Sequence, residues 1–200
     1  MGKKSMLDMK KRTAFIGAIL SLIPLGQPLL IKTGFVLSTA GLILTVPEKV
    51  NAETLDYYLG ELEEIYQIKG EEYRTIFYAN EILKLNANSA DGYWYRAYAM
   101  AEMEKYSEAI ADYSKSIELG DNDTNTFNNR GFAKENAKDF YGAISDYNIA
   151  IKIDGENSLA YFNRGYAKQS LGDMEGACFD WRKAYSLGEE NAADPLRDQC

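Results

Sequence analysis

The stretch from Thr124 to Asn157 repeats itself one unit later. Shifted by 34 residues, Asn129-Arg130-Gly131 falls on Asn163-Arg164-Gly165 and Asp146-Tyr147 on Asp180-Trp181. Shifted back by the same amount, Tyr93, Arg96, Ala97, Tyr106, Ala109, Asp112 and Tyr113 keep their places. A self-match at this period constrains the fold more than any single motif. Each unit is too short to bury its own apolar face, so neighbours must stack and share a core. Helical spacing of the apolar positions makes each unit a helix, a turn and a second helix, and the whole an all-α solenoid.

Three units are regular: 90–123, 124–157 and 158–191. Within each, helix A is expected over roughly the first fifteen residues and helix B over most of the remainder. An earlier stretch, 53–89, follows the same rhythm less well. Glu63 stands where a small residue belongs, and Thr75 stands where Ala109 and Ala143 stand later. It is expected to be a degenerate first repeat, since terminal repeats present one face to solvent. Gly120 and Gly188 sit just past helix B of their units, where a left-handed residue is favoured. Residues 192–200 contain Asp194-Pro195, which reads as an N-cap and first helical position of a short capping helix.

Residues 1–52 differ in kind. They carry seven Lys/Arg against two Asp/Glu, whereas residues 53–200 carry fifteen against twenty-eight. Lys3, Lys4, Lys10, Lys11 and Arg12 precede apolar runs at 14–31 and 35–46, and Val50-Asn51-Ala52 places small residues before Glu53. Basic, apolar and small residues in that order describe an export signal cleaved after Ala52. A retained anchor or re-entrant hairpin, with membrane association through residues 13–46, is the second reading. Either version places the acidic body outside the cytosol or against a membrane.

The repeat positions resemble the tetratricopeptide repeat family, which has an aromatic residue at position 4, a small one at 8, aromatics at 17 and 24, and alanines at 20 and 27. The unit 124–157 supplies Phe127, Gly131, Phe140, Ala143, Tyr147 and Ala150. The flanking units match with Ser116 and Met174 as departures. The family's proline at position 32 is replaced by Ala87, Asp121, Gly155 and Glu189, which is expected to weaken the turns between units.

The resemblance implies a concave face lined by helix A. It would carry Trp94, Tyr95, Tyr98 and Glu102, then Asn128, Asn129, Phe132 and Asn136, then Phe162, Asn163, Tyr166 and Gln169. Rings interleaved with amides suit an extended or helical peptide: the rings give contact area with little entropy to lose, and the amides satisfy peptide groups. The same rings would equally pack between successive helices. Members of the family that bind chaperones hold a C-terminal carboxylate with Lys and Arg at positions 2, 5 and 6; here those positions hold no basic residue, so that clamp is not expected.

Arg96, Arg130 and Arg164 recur at position 7, and Asp112, Asp146 and Asp180 at position 23. Their common phase predicts structural Arg–Asp pairs between helices A and B, within or between units. Cys178 and Cys200 are equidistant from Glu189 in the last turn, so antiparallel packing would bring them together. A disulfide and an unlinked pair are both open at this stage.

Histidine is absent, which removes the commonest general base and metal ligand, and two cysteines do not make a zinc site. An acidic body repels nucleic acid. No cofactor is expected. The sequence therefore predicts a non-enzymatic scaffold that binds a protein or peptide partner; the alternative is a structural spacer or self-association module.

Overall fold

The computed structural model describes residues 52–200, and the 1–51 segment, on which the expected signal or anchor falls, lies outside the described residues. Nine α-helices and one short 3-10 helix follow one another without strands among the described residues. They are α1 (Ala52–Ile65), α2 (Glu72–Leu85), α3 (Ala90–Glu102), α4 (Tyr106–Glu118), α5 (Thr124–Asn136), α6 (Phe140–Ile153), α7 (Ser158–Ser170), α8 (Met174–Ser186) and α9 (Ala193–Gln199). The 3-10 turn spans Glu190–Ala192. Among these helices none is long and apolar enough to cross a membrane.

Caps recur with the repeat. Ser89, Asp123 and Asn157 each precede a helix A and accept a backbone N–H of its first turn, from Gly92, Asn125 and Ala160. Asp139 and Asp173 do the same for helix B. Each such side chain satisfies a donor that has no intrahelical acceptor. Helix A is shorter than expected, ending at its thirteenth residue. The cause is the residue two further on: Glu104, Lys138 and Gly172 all adopt positive φ, and this left-handed kink turns the chain into helix B. Past helix B, Gly120 and Gly188 take φ of +104° and +96° and close the helix end.

The loss of proline at position 32 does not leave the turns without fastening. Asp121 accepts hydrogen bonds from the hydroxyls of Ser116 (2.9 Å) and Thr126 (2.7 Å), bridging helix B to the next helix A. In the following turn Asn157 donates to Thr124 Oγ1 at 3.0 Å. Polar latches replace the stiffness of the ring.

In each regular unit the aromatic at position 24 fills the centre: Tyr113, Tyr147 and Trp181 are essentially inaccessible. Alanines 109, 143 and 177 are also fully buried, and small residues there let helices A and B cross closely. The ring of Tyr147 lies over Gly131 and that of Trp181 over Gly165, leaving no space for a Cβ at either glycine.

The first repeat departs from the register. Helix α1 starts one turn earlier than the period requires, and a six-residue turn containing Gly70 (φ +95°) restores the phase for α2. Leu62, not Glu63, is buried against Ala79 and Ile82. A carboxylate at the crossing point would be costly to desolvate, and the shift keeps Glu63 exposed.

At the other end, Asp194 does not cap α9. The 3-10 turn, capped by the side chain of Glu189, leads straight into the helix at Ala193. Pro195 falls in the first helical turn, where a missing N–H breaks no bond. Cys178 and Cys200 form a disulfide, with Cα atoms 5.8 Å apart. It ties the end of α9 to α8 and closes a 22-residue separation, which the chain-entropy model values at about 3 kcal/mol. Replacing both cysteines by alanine is expected to raise amide exchange across 193–199 well before that of α5 and α6. Equal exchange in the two proteins would mean that packing of Pro195 and Leu196 alone holds the cap.

Candidate functional site

Successive A helices touch, α3 on α5 and α5 on α7, and the expected groove positions lie on these three helices. The structure distributes the expected groove residues unevenly along them. At the N-terminal end, Trp94 and Tyr98 stack with centroids 5.6 Å apart and planes at 18°. Tyr95 meets Trp94 edge-on at 5.1 Å. Tyr66, from the turn after α1, stands edge-on to all three at 5.3–5.6 Å. At the C-terminal end Phe162 meets Tyr166 at 5.0 Å, and Tyr166 rests on Trp181. Apart from buried Trp181, these rings keep part of their surface exposed. Between the two clusters, Phe132 is 44% exposed and stacks on no other ring among the described residues. Packing between units and an open apolar surface therefore coexist in the same residues.

The amides behave differently from one another. Asn128 is only 4% exposed, and its Oδ1 accepts a bond from Asn163 Nδ2 at 3.3 Å. It is part of the α5–α7 contact and not a contact point for a partner, because a buried amide must be satisfied internally. Asn129 lies beside the hydroxyl of buried Tyr113. Asn136 bonds back to the Phe132 carbonyl at 2.9 Å. Among these amides, Asn129 and Asn163 retain exposure beside the rings.

Tyr66 was not anticipated as a groove residue. It belongs to the unit whose register is shifted, so periodic alignment does not place it. Its helical spacing from Leu55, Leu59 and Leu62 was the available signal.

Behind the groove runs a polar ladder. Arg96 grips Asp112 with two parallel bonds of 2.6 and 2.8 Å. Arg130 grips Asp146 at 2.8 and 2.7 Å, and Arg164 grips Asp180 at 2.8 and 2.6 Å. All three pairs join helices A and B of one unit. The remaining guanidinium nitrogen reaches back into the preceding unit, to Asn80 (2.8 Å), Ser114 (3.1 Å) and Asn148 (2.5 Å). Each arginine also lies over the position-4 ring of its own helix, Tyr93, Phe127 or Tyr161, at 5.2–5.7 Å. One side chain thus fastens two helices and two units. Lys134 and Lys168 add a second cation to Asp146 and Asp180, both at 2.8 Å.

Glu135, at position 12, accepts a 2.9 Å bond from the Tyr147 hydroxyl. Burial nevertheless raises its carboxyl above the usual range, outweighing that bond and the pull of Lys138. A raised folded-state pKa means that the stability from this group is present in full below the ordinary carboxylate value and is lost as pH rises through the raised one. Glu135→Gln keeps an acceptor for Tyr147 and removes the charge. It is expected to raise stability at neutral pH and to flatten the pH profile in mildly acidic solution. Loss of stability at neutral pH would show that the charged bond outweighs its desolvation.

Among the described residues no group of acidic residues and cysteines is placed to hold a metal ion. The periodic helix pairs, their close crossings and their inner aromatic face define a tetratricopeptide-type solenoid. Solved structures of that fold are similar to this chain. One is MamA, residues 41 to the end, from Desulfovibrio magneticus RS-1, with TM-score 0.66 and 17% identity over 74% of this chain and 84% of that one. Another is the Arabidopsis OM64 TPR domain, at 0.53 and 26% identity over 57% and 99%. A third is the first TPR of Spaghetti (RPAP3) bound to the HSP90 peptide SRMEEVD, at 0.52 and 28% identity over 56% and 90%. No protein-family model matches the sequence, and no curated protein matches it. The fold is that of a protein–protein interaction scaffold.

Proposed function

We propose that this protein holds a segment of a protein partner on the inner face of its solenoid, without chemistry of its own. The observation that carries the reading is the exposed Phe132 between two partly exposed ring clusters, with Asn129 and Asn163 beside them. Apolar surface of this kind, rimmed by polar groups, marks binding sites on soluble domains. Large rings at the centre of an interface commonly carry most of its energy. The RPAP3 neighbour, which holds a peptide on this fold, supports the same use here. Its acidic HSP90 peptide is not the expected ligand type, since positions 2, 5 and 6 of the three A helices hold no basic residue. We place the work outside the cytosol. The basic, apolar and small residues of 1–52 favour export, and a Cys178–Cys200 disulfide suits an oxidising compartment.

The test is affinity capture from the native host with the full chain, comparing wild type with Phe132→Ala and with Tyr141→Ala on helix B. Phe132→Ala is expected to lose the specific partner and Tyr141→Ala to keep it. Partner retention by both would shift the reading to a spacer whose inner face is packing alone.

A further inference from the structure

We infer that the segment held in the groove is basic, a lysine- or arginine-rich stretch presenting its cations to the aromatic face. This rests on the groove being the binding site and adds the charge of the occupant.

The expected groove positions of α3, α5 and α7 carry exposed Asp91 and Glu102, and Glu135, which is bonded to Tyr147, and neither lysine nor arginine. Carboxylates also bear on the rings from outside these helices. Burial first, and then Glu63 outside α3 together with Asp91 on it, raise the Tyr95 hydroxyl, and burial followed by Glu102 raises that of Tyr98. At the far end Tyr166 feels Asp194 and Glu135. The cations of α3, α5 and α7 themselves are engaged elsewhere. Arg96, Arg130 and Arg164 are locked on their aspartates, and Lys134 and Lys168 share two of the same carboxylates. Carboxylates thus stand near both ring clusters while the cations of these three helices are paired, so an acidic segment would meet repulsion at each cluster.

Ring and carboxylate together suit a cation. The exposed face of a Trp–Tyr stack attracts a guanidinium or ammonium through the ring quadrupole, and a neighbouring carboxylate strengthens the contact. Phe132 and Phe162 would take the stems or the apolar residues between the cations. The body's net charge of −13 over residues 53–200 steers such a segment from a distance.

The experiment is selection of a randomised dodecapeptide display library on the full-length chain, counter-selected on Trp94→Ala, with circular dichroism confirming that the variant is folded. Enriched peptides are expected to average a net charge of about +3 or more. Their affinity should fall roughly 10-fold for the doubly substituted Asp91→Asn, Glu102→Gln chain at about 50 mM salt, with the difference largely gone at about 500 mM. Both residues are exposed, so these substitutions leave the core intact. Neutral or acidic peptides that need Trp94 would overturn the charge and leave the groove standing. Absence of any Trp94-dependent peptide would overturn the groove itself. A concentration-dependent dimer broken by Trp94→Ala would assign the face to a second copy of this chain and overturn the inference.

Discussion

Asp180→Asn is expected to cost about 3–5 kcal/mol, the range for removing one partner from a buried ion pair. The carboxylate of Asp180 is inaccessible and receives both Arg164, through two bonds, and Lys168. Asparagine keeps the shape and one acceptor but turns an amide NH₂ toward two cations. Those cations sit at 14% and 20% exposure, so water screens them only in part. Asp146→Asn is expected to cost about as much, since Asp146 is 2% exposed and faces Arg130 and Lys134. Asp112→Asn should cost clearly less. Asp112 is 14% exposed, Arg96 is 25% exposed, and Met100 stands where the later units have lysine. Chemical denaturation of the three variants gives the order directly. Equal losses at all three positions would separate the ladder's strength from its burial.

Gly165→Ala is the second substitution with a large expected effect. An added Cβ would lie 2.4 Å from Trp181 Nε1 and 2.7 Å from Cδ1, on a ring that has no exposed side to move toward. Overpacking of this kind costs about 1–3 kcal/mol, against a gain of about 1 kcal/mol in helix propensity. A net loss is expected at Gly165 and likewise at Gly131, where Tyr147 Cε1 is 2.7 Å from the added atom. Gly60 is the control: it lies inside α1 with nothing within 4 Å of an added Cβ. Gly60→Ala should therefore stabilise the chain by up to about 1 kcal/mol. Stabilisation at Gly165 as well would mean that the Trp181 ring can move aside.

The difference between these glycines also shows what the sequence discloses. The small residue at position 8 and the ring at position 24 repeat in phase, so both positions were legible from the 34-residue match; that the ring lies over the small residue of its own unit was not, since rings at 24 were expected between units. The arginines and aspartates were legible for the same reason. The backward bonds of the ladder were not, because Asn80, Ser114 and Asn148 share a position and an acceptor but not a residue type. Helix A looked longer than it is, since left-handed Glu104 and Lys138 carry no glycine to announce the turn. Asn128 and Asn129 look identical in sequence, yet one is buried in a helix contact and the other keeps exposure. Burial of an amide depends on what the neighbouring helix offers it, and period alone does not supply that. Tyr66 was missed because a one-turn shift of α1 removes it from the common register.

The ladder and the crossings fasten helices A and B of each regular unit to one another. The proposed function has a partner segment lying across the rings of the A helices. Photo-crosslinking in the native host tests this most directly, with a benzophenone amino acid placed at Phe132 on the inner face or at Tyr141 on helix B. The expected result is a discrete protein adduct from position 132, absent from position 141, and lost when Trp94→Ala is added. Adducts of equal yield from both faces, or none from position 132, would contradict a binding role for the inner face.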